Sequence, residues 1–275
     1  MRQTISLLLT GMLLLAACSA SGAETMETAA EYLEPRYYFE DLTAKETFTA
    51  EDGTALAGYD YRLFTLAADN LDELSPKDRE AAERNVENFN ARAYEVLNEA
   101  AAYGRGLEEI ALSDREEAEA WTAAYSDETS AQGYMGGEII SVRTDTRGYT
   151  GGAHGYSYTT GYTFDLSTGQ FIDPVQLAED PAAFQEGAAE ALIAAADSLD
   201  RERRDLYWDN YQDIIREWNN GAVYFNGEGM TVIFSAYELG PYVLGAVELT
   251  LDWETLADLL DGGLARLGVE AGGEA

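Results

Sequence analysis

Apolar and polar residues alternate along this chain at two periods, and the change of period marks out the elements. Period two over Arg36–Thr49 and again over Ala55–Ala67 predicts two strands. Glu51-Asp52-Gly53-Thr54 between them is a hairpin signal, because glycine takes positive φ without steric cost. Ser75-Pro76-Lys77-Asp78 then opens a helix, with serine as cap and proline at the first helical position. Ala82, Val86, Phe89, Ala93, Val96, Leu97 and Ala100 recur at three- and four-residue steps up to Gly104, where the helix is expected to stop. The capping-box spacing Ser113–Glu116 predicts a shorter helix over Ser113–Ala124.

The pattern turns to β at Tyr134. Gly136–Thr146 and Gly155–Asp165 read as strands, the second with Tyr156, Tyr158, Tyr162 and Phe164 on one face. A turn at Leu166–Gln170 leads into Phe171-Ile172. Asp180-Pro181 opens another helix that buries Phe184, Ala188, Ala191, Leu192 and Ala195. Helical spacing continues through Tyr207, Tyr211, Ile214, Ile215 and Trp218. Ala222–Phe225, Met230–Ala236 and Val243–Leu251 read as strands, and a last helix runs from Trp253 to Leu260. Helices and strands mix without regular βαβ alternation. That predicts an α+β fold, mainly antiparallel sheet covered by helices, in two closely packed lobes. The lobes are expected at 36–104 and 105–265, with 266–275 as a flexible tail.

The N-terminus changes the picture by fixing a compartment. Arg2 precedes an apolar core, Ile5 to Leu15, too short to span a bilayer as a helix. Leu15-Ala16-Ala17-Cys18 resembles the bacterial lipobox, cleaved before its cysteine. Residues 1–17 are therefore expected as a lipoprotein signal peptide, with Cys18 acylated and the protein held at the membrane by that lipid anchor. Ser19 stands where aspartate would act as a retention signal in many Gram-negative bacteria, so the outer membrane, facing the periplasm, is expected in such a cell. Residues 18–35 are small, polar and acidic and read as a tether. Cys18 is the only cysteine, so no thiol remains for a disulfide or a thiolate metal site.

Charge narrows the partners. Acids outnumber bases 51 to 17, a formal net of −34. Such a surface repels nucleic acid and anionic lipid and attracts cationic proteins. With only two lysines among the bases, adaptation to salt accounts for the same composition.

Two motifs carry a resemblance. One is Tyr149-Thr150-Gly151-Gly152-Ala153-His154-Gly155, running into the tyrosine-rich strand. The other is Tyr237-Glu238-Leu239-Gly240-Pro241-Tyr242, followed by Val247-Glu248-Leu249. Together they resemble the signatures of a bacterial extracytoplasmic domain of largely unknown function. That domain is shared with the outer region of a lysozyme-sensing anti-sigma factor and the non-catalytic N-terminal part of a peptidoglycan deacetylase. The resemblance covers about residues 100–262. It implies an envelope domain, with no sigma-binding segment and no deacetylase barrel in this chain. Both motifs are expected as loops bordering one sheet.

His154 is the only histidine. Catalysis would require a nucleophile and an orienting carboxylate beside it, for which Ser157 and Asp165 are the nearest candidates. The structural alternative has Gly151 and Gly152 forming a tight turn while the imidazole bonds a neighbouring backbone or tyrosine. Tyr237, Pro241 and Tyr242 sit in a turn and have the chemistry of interface anchors. With Tyr149, His154 and Tyr156 they form the candidate binding set. No cofactor motif, calcium loop or metal-ligand spacing appears, so neither a cofactor nor a metal is expected. The sequence thus predicts a non-enzymatic binding or sensing lipoprotein whose ligand is a cationic lysozyme-like protein or peptidoglycan. The alternative is a peptidoglycan-acting enzyme of unrecognised mechanism using His154.

All stable membrane affinity in this reading rests on one residue. Cys18→Ala is expected to abolish acylation and leave uncleaved precursor or soluble protein, as membrane fractionation and metabolic lipid labelling would report.

Overall fold

A hairpin begins the folded chain: Tyr37–Thr49 (β1) pairs antiparallel with Ala55–Ala68 (β2). A computed structural model describes residues 33–117, 123–260 and 267. The expected signal peptide, Cys18 and most of the expected tether lie outside the described residues. Of the expected tail only Leu267 is described, and it is buried in the core, not free.

Six strands make the main sheet. Tyr125–Gly136 (β3), Ile139–Tyr149 (β4), Tyr156–Asp165 (β5) and Gln170–Ile172 (β6) follow β1 and β2 in spatial order. Every pairing is antiparallel except β2 with β3. A parallel pair needs a long crossover, and here it is a single helix, Pro76–Glu117 (α1), of 42 residues. Ser75 caps it, its Oγ accepting from the Asp78 N–H at 3.2 Å. Phe89 packs between Phe64 and Phe164, and Leu97, Ala101 and Leu107 are buried further along the helix. β1 is the outer edge of this sheet, and Glu40, Asp41 and Glu46 on it are exposed.

Gly104 is not a helix stop. A Cβ there would lie 2.5 Å from the Tyr59 ring, so glycine serves the close approach of helix to sheet. The separate helix expected from Ser113 is the end of α1, as far as residue 117. The lobe boundary expected after residue 104 therefore falls inside α1, and 37–172 share one sheet. Strand β3 was not foreseen. Its inward positions include Asp127 and Thr129, both buried, so polarity hides the alternation.

The second layer starts with Pro181–Ser198 (α2), capped by Asp180, which accepts from the Ala182 and Ala183 N–H groups. The short helices Arg201–Arg204 (α3) and Tyr211–Arg216 (α4) follow. Then come Ala222–Phe225 (β7), Gly229–Phe234 (β8) and Val247–Asp252 (β9), and finally Trp253–Leu259 (α5). β7, β8 and β9 form an antiparallel sheet of three. The long helical run expected through Trp218 is confined to α4, and Trp218 is buried with its indole N–H bonded to the Gln185 carbonyl at 3.0 Å. The strand expected from Val243 starts only at Val247, because Tyr242–Leu244 form a 3-10 turn. The α+β expectation holds: a mostly antiparallel six-stranded sheet with helices, and a smaller sheet beside it.

The two sheets meet where β7 crosses β4 and β5. A Cβ on Gly161 would stand 1.9 Å from the Val223 carbonyl oxygen, so a side chain there would hold the sheets apart. The Phe225 N–H donates to Ser141 Oγ at 2.8 Å, and Arg143 donates to the Tyr224 hydroxyl at 2.9 Å. On the opposite face, under α1, Asp127 accepts from the Tyr61 hydroxyl at 2.6 Å and from that of Tyr156 at 2.5 Å. Burial first, and then these bonds, hold both phenols well above their ordinary range.

Because the folded-state values exceed the unfolded value of roughly 10, this network's contribution is whole below that pH and is lost as pH rises beyond it. Phenolate absorbance is expected to show Tyr61 and Tyr156 still protonated above pH 10 in the folded protein. Asp127→Asn should bring both ionisations to lower pH, and an unchanged alkaline titration in that variant would contradict the assignment.

Candidate functional site

The β4–β5 connection supplies the first component. Gly151 and Gly152 have φ of +91° and +84°, a pair of left-handed positions that L side chains rarely adopt. The Tyr149 hydroxyl donates to the Gly152 carbonyl at 3.1 Å, closing the turn. Tyr125 lies under Gly151, and its own hydroxyl donates to Asp114 at 2.6 Å. That bond, followed by burial, pushes the Tyr125 hydroxyl up to about 12. The turn ends in His154, whose Nδ1 lies 2.9 Å from the Gly155 carbonyl oxygen.

The second component is the connection from β8 to β9. Leu239 and Leu244 are buried and anchor it, while Tyr237, Tyr242 and Val243 point outward. Pro241 precedes the 3-10 turn and directs Tyr242 away from the core. Tyr237 is the only non-glycine residue with positive φ among those described, at 76°. Such backbone strain persists only where the surroundings impose it, and it concentrates at functional sites. Here Trp208 holds it: the indole N–H donates to the Tyr237 carbonyl at 3.2 Å, and the Trp208 backbone N–H donates to Leu239 at 2.9 Å.

The two connections border different sheets, not one as expected, yet they touch. The His154 ring stacks on Tyr242 with centroids 4.9 Å apart, and Tyr242 leans on Tyr237 at 5.4 Å. The result is an aromatic edge in which Tyr237 is 59% exposed, Tyr242 49% and Trp208 41%, with Val243 at 78%. Of the candidate set, His154, Tyr237, Pro241 and Tyr242 come together. Tyr149 and Tyr156 do not join them: Tyr149 closes the turn, and Tyr156 faces α1 through Asp127.

His154 does not gather Ser157 and Asp165 around it. Asp165 lies at the far end of β5, accepting from the Ser167 N–H at 2.9 Å and its hydroxyl at 2.6 Å. It stands eight positions along the strand from Ser157, roughly 27 Å away. Among the described residues no group of three or more His, Cys, Asp or Glu could hold a metal ion, and no helix is long and apolar enough to cross a membrane.

Behind the edge, between the sheets, lies a cleft of about 590 Å³ with Tyr242 at its wall. Its floor is the face of the main sheet away from α1, and strand register arranges that floor in rows. Asp60, Glu128, Arg147 and Ser157 are partners across β2 to β5, and Arg62, Ser130, Asp145 and Thr159 form the row beside them. Arg62 and Lys45 both bind Asp60, at 2.8 and 2.9 Å. Their hydrogen bonds, Arg62 first, hold the Asp60 carboxyl well below the usual carboxylate range. Arg147 binds Glu128 at 2.7 Å. Arg143 binds Asp145 at 2.9 Å and reaches across to Glu248 of β9 at 3.1 Å. Burial alone would lower the Arg143 guanidinium, but these two carboxylates more than offset it and hold it above its ordinary value.

The sequence reading missed this floor and Trp208. Arg143-Thr144-Asp145-Thr146-Arg147, with charges of alternating sign at period two, was the available signal.

A family model described as "Protein of unknown function (DUF3298)" matches residues 183–254, which run from α2 through β9 and include the Tyr237–Tyr242 loop. The fold is similar to that of a DUF3298 family protein from Bacteroides fragilis NCTC 9343, with a TM-score of 0.56 and 18% identity. The match covers 82% of this chain and 94% of that one. A DUF3298 family protein from Pseudomonas aeruginosa PAO1 matches with a TM-score of 0.44 and 18% identity, over 82% of this chain and 95% of that one. No curated protein sequence matches the chain.

The two connections should respond differently to mutation. At Gly152 nothing lies within 4 Å of an added Cβ, so Gly152→Val acts through backbone strain alone and should cost about 1–3 kcal/mol. Tyr242→Ala removes a half-exposed ring and should cost less than about 1 kcal/mol. Thermal melting of the two variants side by side checks this, and equal losses would make Tyr242 a core residue.

Proposed function

We propose that this chain is a lipid-anchored protein of the bacterial cell envelope that binds a cationic, lysozyme-like protein and does not turn it over. The aromatic edge carries the reading. Two connections from separate sheets converge to expose Tyr237, Tyr242, Val243 and Trp208 on a rigid support. Amphipathic rings held in place lose little entropy on docking, and such residues contribute most of the energy in protein interfaces. The formal charge of −34 supplies long-range attraction for a basic partner. His154 serves here as a ring that steadies Tyr242.

The test is binding of egg-white lysozyme to the full chain at low and at physiological salt. Association should slow markedly between the two, because the screening length falls to about 8 Å at 0.15 M. Tyr242→Ala should weaken the complex by about fivefold or more, corresponding to at least about 1 kcal/mol. Salt-independent binding, or binding untouched by Tyr242→Ala, would remove this edge as the docking surface. Retention on isolated sacculi in place of lysozyme, lost in the same variant, would make peptidoglycan its ligand.

A further inference from the structure

The cleft behind the edge has a chemistry of its own, and it is unlike the rest of the surface. Acids exceed bases threefold in the chain as a whole. On the two floor rows three acids, Asp60, Glu128 and Asp145, are mixed with two bases, Arg62 and Arg147, so this region is far closer to balance. A polycation or polyanion laid on it would meet attraction and repulsion in alternation. A ligand that is neutral overall meets neither.

The floor also restricts how a ligand can be read. β2 to β5 are each paired on both sides, so their backbone donors and acceptors are committed to the sheet. An extended peptide, which is normally held by main-chain bonds to a free strand edge and by apolar pockets, finds neither here. What the floor offers is side chains. Ser130 and Ser157 hydroxyls, Glu128 Oε1 and Arg147 Nη1 have no partner among the described residues. Arg147 Nε and Nη2 both donate to Glu128 Oε2, so each group keeps a free donor or acceptor beside the bond. Vicinal hydroxyls, which donate and accept from adjacent carbons, match that arrangement without breaking the pair. A row from β2 to β5 runs roughly 14 Å, longer than one sugar ring, and Tyr242 stands half exposed at the wall to take an apolar sugar face.

We infer that this cleft is a binding site for a neutral or zwitterionic oligosaccharide, held by the two rows of mixed charge and Tyr242. It goes beyond the docking of a protein on the outer edge and shares only Tyr242 with it.

The probes are the N-acetylglucosamine trimer and maltotriose, titrated calorimetrically into the full chain. Saturable binding of at least one is expected. Ser157→Trp, which fills an exposed floor position, should abolish it. Glu128→Gln combined with Arg147→Gln should weaken it by about tenfold or more, since hydrogen bonds to charged groups are lost. Val243→Asp, at the outer edge, should leave sugar binding unchanged while impairing lysozyme binding, so the two readings fail separately. Thermal melting confirms that each variant folds. Failure of both sugars to bind, or binding that survives Ser157→Trp, overturns the inference.

Discussion

A backbone laid directly on a backbone is the constraint from which the rest of this structure follows. β7 can cross the main sheet only because residue 161 lacks a side chain, and the Val223 carbonyl occupies the space that a Cβ would take. Once that contact is fixed, the Ser141 and Arg143 bonds align the smaller sheet on the larger one. The sheets then diverge toward the β4–β5 turn, and the cleft is the wedge between them. Helices cover the outer faces. The polar inner face is left to solvent on one side and to β7 on the other.

The site thus belongs to two sheets at once. His154 comes from the turn of one and Tyr242 from a connection of the other, and their stacked rings bridge the opening. The strained Tyr237 backbone is fixed from a third direction by Trp208, which itself precedes α4. Rigidity at the edge is therefore a tertiary property. No segment could supply it alone.

That explains what could be read in the sequence. The β1–β2 turn, the Asp180 cap and the rhythm of β5 are local and were legible, because a few adjacent residues determine each. Gly104 was read as a terminator because glycine usually ends helices. Only the position of Tyr59 shows it as a contact point. β3 was hidden because its buried positions include Asp127, stabilised by tyrosines distant in sequence. The two loop motifs were visible as loops, but their contact across sheets depends on how β7 seats. The charge rows were invisible for a related reason: alternating charges resemble any solvated strand until register aligns Asp60, Glu128 and Arg147.

The outer strand of the main sheet has a consequence for the protein's behaviour in bulk. Among the described residues β1 has a strand partner on one side only, and its other side is an edge thirteen residues long, the kind of template on which sheets from separate molecules grow together. Glu40, Asp41 and Glu46 on that strand are exposed and outnumber Lys45, so two copies approaching edge to edge bring net negative charge together. Electrostatic repulsion keeps the molecules apart, and dissolved ions screen it beyond about 8 Å at 0.15 M. At high salt the repulsion fades and the edge becomes adhesive, so colloidal stability is limited by the ionic strength around this strand, even where the fold itself persists.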